Sequence, residues 1–305
     1  MAVEITENFS FTEYEDGIFF DGKAIAKAFN EATVPPTAYG STSGYTSGGY
    51  SVTTTIDKFP FSSDGNATDV GDLTQARYWV AGQSSADSGY SSGGRPGPSP
   101  TNVIDKFPFS SDGNATDVGD LSQGRYGPGG QVSDVSGYST GGWAPGTVNT
   151  IDKFPFSSDG NATDVGDLSQ GRYWSTGQSS TGSGYASGGG SPTISNVIDK
   201  FPFSTDANAA DVGDLTLARW TAAGHSSTES GYTSGGNPST NIIDKFPFSS
   251  DANATDVGDL TQSRTGPAGQ SSTASGYSSG GNPSTNIIDK FPFSSDANAT
   301  DVGDL

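Results

Sequence analysis

The string IDKFPFSSDGNATDVGDL begins at Ile56 and returns, nearly unchanged, at Ile104, Ile151, Ile198, Ile243 and Ile288. A chain of 305 residues could otherwise hold two ordinary domains, but recurrence every 45 to 48 residues makes one multi-unit domain the expectation. Composition alone would suggest disorder, with 31% hydrophobic residues and 44 glycines. The aromatic residues argue otherwise, because 12 of the 17 phenylalanines stand in the six FPF triplets, where a recurring core would place them. A single unit of this size buries too little to offset the entropy of ordering it, so neighbouring units must pack on one another.

The formal net charge of -20 arises mainly from four aspartates per unit against one lysine and usually one arginine, so the acidity is spread around the molecule. Such a surface repels phosphate groups and anionic lipid, which predicts neither nucleic acid partners nor membrane insertion. With no cysteine, a disulfide framework and a thiolate metal site are both impossible. The start, MAVEITENFSFTEYEDG, has no basic segment followed by an apolar one, and no apolar run approaches membrane-spanning length. A soluble protein without a secretory signal is the expectation.

Each unit contains four short segments separated by turn signals. In the second they are RYWVAGQSS, GYSSGG, NVIDKFPF and ATDVGDL. Four strands in 45 to 48 residues mark a propeller blade, and no segment inside the units has helical periodicity. Proline cannot donate to a strand ladder, so Pro60 and its five equivalents should lie at a strand end or a bulge. The paired glycines (Gly48-Gly49 through Gly280-Gly281) permit positive φ and close backbone approach between blades. Without a strand-to-helix context they do not read as a phosphate nest.

Over residues 37–305, the order GY-x-SG-G, then VIDKF, then VGDL and a following arginine resembles the kelch repeat. In that family a diglycine ends the second strand and an aromatic/Asp pair marks the third. The usual tryptophan of the fourth strand is absent, and Val118 and Leu121 stand nearby instead. The resemblance implies an all-β, six-bladed kelch-like β-propeller at 37–305 with a small N-terminal extension at 1–36. The wording IDKFPFSSDANATDVGDL is also similar to kelch-like open reading frames of marine bacteriophages, which implies a virion-associated protein.

Six units can close into a ring. Five are led in by an arginine (Arg77, Arg125, Arg172, Arg219, Arg264), whereas the first is led in by ATVPPTAYG. Thr33 to Gly40 is therefore expected to meet Asp301 to Leu305 and seal the ring. Ahead of the repeat, FSFTEYEDGIFFDG predicts two short strands about Asp16-Gly17, and Lys23 to Ala32 predicts a short helix with Ile25, Ala28, Phe29 and Ala32 on one face. Residues 1–36 read either as a cap or as a docking and oligomerisation segment for other virion or surface proteins.

The six copies can be compared with one another. From the unit's first Ile to the next arginine is always 21 positions, and from that arginine to the GY tyrosine always 13. Length varies only after the diglycine, on the face shared with the connection between blades. All four tryptophans stand outside the repeated wording: Trp143 in a variable loop, and Trp79, Trp174 and Trp220 just after a lead-in arginine. With Tyr78, Tyr126, Tyr173 and Arg95 they form the candidate ligand-binding rim. Aromatic rings beside short polar side chains suit sugar stacking or a protein partner. Rings that merely fill gaps between blades are the plainer alternative.

The turn SSDGNATDVGD presents Asp64, Asp69 and Asp72 with Asn66, but its order departs from a calcium loop. Asx turns and an ion pair with the lead-in arginine account for the same residues, so no metal site and no cofactor are expected. His225 is the sole histidine. Any Ser/His/Asp or histidine-metal chemistry would depend on that one ring. A glycosidase pair would have to come from non-repeated acids such as Asp87, Asp134 or Glu229. The expected function is therefore non-enzymatic: a virion decoration or fibre protein offering the propeller to proteins or to a host-surface glycan. A carbohydrate-binding lectin of a bacterial cell surface is the alternative.

Overall fold

Strand-forming Val, Ile, Thr, Tyr and Phe alternate with short polar residues in each unit, and each unit accordingly forms its own antiparallel sheet. The computed structural model describes residues 42–49, 53–190, 193–283 and 285–305, together with the backbone of three strands ahead of them. In the second blade the strands run Ala81–Ser84, Ser88–Ser92, Val103–Pro108 and Thr116–Asp120, each paired with the next. Blades 2 to 6 have four strands in this order, and blade 1 contributes three among the described residues: Ser43–Ser47, Thr55–Pro60 and Thr68–Asp72. No helix occurs among the described residues, and none is long and apolar enough to cross a membrane. All six FPF prolines are the last residue of their strand, as the missing N–H requires.

The cores lie between blades rather than within them. Tyr90, Ile104 and Leu121 of blade 2 pack with Phe154 and Ala162 of blade 3, and the same grouping recurs at the other junctions. The GY tyrosine of one blade stacks on the second FPF phenylalanine of the next, as in Tyr138 on Phe203 at 4.8 Å. Across the last junction Tyr277 stacks on Phe61 at 4.7 Å, Lys290 pairs with Asp64 at 3.0 Å, and Ala67 N–H donates to Asp304 O at 2.7 Å. These are the contacts made at every other junction, so the ring is closed: the protein is a six-bladed β-propeller.

Closure differs in detail from the sequence expectation. Thr300–Asp304 pairs with Ile287–Pro292 in its own sheet and meets Asn66 and Ala67 of blade 1, as every outer strand meets the acidic turn of the next blade. The expected partner, Thr33 to Gly40, lies outside the described residues. The chain divides into two units, 1–35 and 36–305. In the first, Thr12–Tyr14 pairs with Gly17–Phe20 as expected, but Lys23–Ala24 is a strand paired with Phe19 and Phe20 rather than the start of a helix. The cause is visible in the sequence, since Asp21-Gly22 is a strong hairpin signal that outweighs the helical spacing of the residues after it. The remainder of the expected helix lies outside the described residues.

In blades 3 to 6 the first-strand glycines Gly130, Gly177, Gly224 and Gly269 lie so close to the strand of the blade before that a side chain would not fit. A Cβ on Gly177 would lie 1.9 Å from the carbonyl oxygen of Gly130, and one on Gly224 2.3 Å from that of Gly177. Gly177→Ala should therefore lower stability by about 1–3 kcal/mol, the usual range for overpacking. Gly182→Ala, where nothing lies within 4 Å, should change it by less than about 0.5 kcal/mol. Chemical denaturation of the two variants checks the difference, and equal midpoints would refute the tight axis.

Candidate functional site

The connection between blades is anchored before it reaches the axis. Each lead-in arginine turns inward: Arg125 places Nη2 2.9 Å from Asp152 and 2.8 Å from the Ser139 carbonyl, with both charged side chains fully buried. Its own carbonyl is held by the preceding diglycine, as in Gly94 N–H donating to Arg125 O at 2.9 Å. Gly93 and Gly94 have φ of 65° and 100°, and a Cβ on Gly93 would meet that carbonyl at 2.7 Å. The diglycine thus receives a neighbouring backbone, not an anion.

The arginine's partner is a correction to the sequence reading, which placed the ion pair in the acidic turn. The pairs are formed with the Asp of IDKF (Asp105, Asp152, Asp199, Asp244, Asp289). Antiparallel pairing carries that residue, some 25 to 28 positions further on, beneath the second strand to the arginine. The acidic turn serves other ends. Asp64 pairs with Lys290, Asp69 Oδ1 accepts from Gly71 N–H in an Asx turn, and Asn66 Oδ1 accepts from Asp304 N–H.

With the arginine fixed, the two residues after it reach the surface around the axis. The first (Tyr78, Tyr126, Trp220) makes a single bridge to the residue after a diglycine (Arg95, Trp143, Asn237). The second is left-handed in blades 2 to 6: Trp79, Gly127, Trp174, Thr221 and Gly266 have φ of 59°, 65°, 57°, 49° and 68°. In blades 3 to 6 its N–H donates to the carbonyl of its counterpart in the blade before, for example Gly127 N to Trp79 O at 2.9 Å and Thr221 N to Trp174 O at 3.0 Å. A belt of peptide groups results. A left-handed conformation costs a residue with a side chain roughly 1–2 kcal/mol. Glycine meets the requirement in two blades, whereas tryptophan meets it in two others.

That strained backbone brings all eight sequence-predicted rim residues into one cluster. Trp79 lies 5.0 Å from Trp174, which lies 5.1 Å from Trp220, both edge to face. Tyr78 touches Trp79 at 4.4 Å, and Tyr173 touches Trp174 at 4.4 Å. Tyr126 sits among Trp79 at 5.1 Å, Trp143 at 5.1 Å and the Arg95 guanidinium at 5.4 Å. Tyr126 is buried and forms the floor, and burial raises its phenol pKa against the opposing pull of Arg95. The other seven are half-buried. The cluster belongs to blades 2 to 5, since blade 6 has Thr265, Gly266 and Asn282 at the same positions.

Three polar atoms beside these rings were not anticipated. Trp174 Nε1, Ser175 Oγ and Thr221 Oγ1 are buried without a hydrogen-bond partner. Their types gave no signal in the sequence, although glycine at two of the five second positions hints at the left-handed backbone. Partly exposed aromatic faces such as these can stack on a sugar ring or pack against a protein surface.

His225 lies elsewhere, on the first strand of blade 5. It is 1% exposed, with Nδ1–H donating to Gln270 O at 3.0 Å and Nε2 facing Ser234 Oγ at 2.8 Å. Burial pushes its pKa down to about 4. Glu229 and Asp87 stand in the turns between first and second strands, apart from the aromatic cluster. Among the described residues no group of three or more His, Asp or Glu side chains is arranged to hold a metal ion. The chain matches no protein-family model and no curated protein sequence.

Proposed function

We propose that the protein is a non-enzymatic recognition protein that presents the aromatic face of blades 2 to 5 to a glycan or protein surface, carried as a decoration or fibre component of a bacteriophage particle. The observation that carries the recognition role is the pair of left-handed tryptophans, Trp79 and Trp174, at positions where glycine would be unstrained. Backbone strain of this kind is retained where a side chain has to be aimed. The particle setting is supported by the resemblance of the repeat to phage reading frames and by an N-terminal segment that stands outside the repeat.

An array of neutral glycans tests the recognition role. Binding by the wild type should weaken at least about tenfold in Trp79→Ala and in Trp174→Ala, as expected when a central aromatic anchor is removed. Unchanged binding in both variants would move the site off this face. Cofractionation with particles, as against bacterial envelopes, separates the virion setting from a cell-surface lectin.

A further inference from the structure

Five blades enclose an arginine, and the first does not. In blades 2 to 6 the guanidinium lies no more than 2.9 Å from an aspartate, with both side chains at most 1% exposed. The same group donates to the second-strand carbonyl, as Arg77 does to Ser91 O at 2.9 Å, and in blade 2 also to third-strand Val103 O at 3.3 Å. Blade 1 has the same acceptors in the same register. Thr46 pairs with Asp57 as Ser91 pairs with Asp105, which makes Thr46 O and Thr55 O the counterparts of Ser91 O and Val103 O.

The donor is what the sequence withholds. Thirteen positions before Tyr45, where every other unit has arginine, stands Ala32. The chain has six arginines: five are the lead-in residues, and Arg95 is engaged with Gly97 O at 2.8 Å and the Tyr126 ring. Asp57 is left half-buried, facing Asp69 across the ladder. Burial first, then the Asp69 charge, raise its carboxyl pKa. In the other blades that cross-strand pair shares one arginine, as Asp105 and Asp117 share Arg77.

A backbone donor accompanies the carboxylate. In blades 1 to 5 the second glycine donates to the carbonyl of the next lead-in arginine, from Gly49 to Arg77 O through Gly236 to Arg264 O. At the junction of blades 6 and 1 the counterpart is Gly281, and among the described residues no carbonyl accepts its N–H. The geometry points to a peptide-docking site at this junction: Asp57, with the carbonyls of Thr46 and Thr55, takes the side chain of an arginine from a partner polypeptide, and Gly281 takes that arginine's carbonyl. Arginine is favoured over lysine because its planar fork reaches a carboxylate and carbonyls on two strands at once.

The probe is an acetylated, amidated hexapeptide with the sequence Ser169 to Trp174, SQGRYW, which is this chain's own lead-in to blade 4. Added to the full chain, it should lower the Asp57 carboxyl pKa read by carbon NMR and raise the melting temperature. A lysine version should bind at least about tenfold more weakly, and Asp57→Asn should abolish the response. Equal binding of the two peptides, or an unaltered response in Asp57→Asn, would reduce the effect to attraction by a surface of charge -20 and overturn the site. A changed Asp57 titration in a Lys23→Ala, Lys27→Ala double variant without peptide would also overturn it, by showing the carboxylate paired within the chain. The Asp57 titration in the wild type needs no variant to fold.

Discussion

Arg172→Ala is expected to lower the unfolding free energy by roughly 3–5 kcal/mol, the range for removing one partner of a buried ion pair. Arg172 and Asp199 are 1% and 0% exposed and 2.9 Å apart, and Arg172 also donates to Ala186 O at 2.8 Å. Burial pulls the guanidinium below its ordinary pKa while Asp199 opposes that pull, so each charge depends on the other for its place in the interior. Truncation leaves a carboxylate without its counter-charge, and it also frees the connection that carries Tyr173 and Trp174. Lys153→Ala is the contrast. Its partner Asp206 is 57% exposed, and exposed pairs of this kind contribute about 0–1 kcal/mol. Urea titrations of both variants decide the matter, and the cycle completed by Asp199→Ala and the Arg172→Ala, Asp199→Ala double variant measures the coupling. Similar midpoints for Arg172→Ala and Lys153→Ala would show that the interior pair contributes no more than the rim pair.

The second large effect concerns pH. His225 titrates near 6.5 in an unfolded chain and near 4 in the native one, because burial disfavours the charged ring. The unfolded state therefore binds the proton first as pH falls. Stability attributable to this residue is fully present above about 6.5, declines between 6.5 and 4, and is lost below, a total of roughly 3 kcal/mol. His225→Gln should remove that dependence while costing little at neutral pH, since Gln83, Gln131, Gln178 and Gln270 hold the equivalent place in four other blades. Each bridges to the next blade, as Gln178 Nε2 does to Tyr232 O at 3.1 Å. The difference between wild type and variant, followed from pH 7 to 4, cancels the titration of the aspartates common to both. A flat difference would mean that His225 takes its proton without opening the ring.

Repeat period and turn signals were sufficient for the blade, its four strands and the place of the FPF prolines, because these follow from pairing within one unit. Contacts between units were harder to foresee. The lead-in arginine is separated from Asp105 or Asp152 by a whole second strand, and nothing local distinguishes that aspartate from those of the nearby acidic turn. The seal was expected from an unmatched end of the sequence, yet Lys290, Asp64, Asn66 and Ala67 make it with residues present in every copy. For the candidate site, departures from the repeated wording picked out all eight aromatic and arginine positions. They could not reveal the left-handed backbone at Trp79 and Trp174 or the unpaired atoms of Ser175 and Thr221, which depend on how the connections meet around the axis.

The tyrosine–phenylalanine clasp has a consequence for assembly. Tyr45 on Phe109, Tyr90 on Phe156 and Tyr277 on Phe61 have nearly the same geometry, so the clasp itself bears no mark of which two neighbours belong together. A newly made chain can mate the wrong sections, skipping one and leaving it looped out, or mating with a second chain, without any clasp being malformed. Correct assembly must then come from the shortness of the links, which makes the adjacent section the first to arrive.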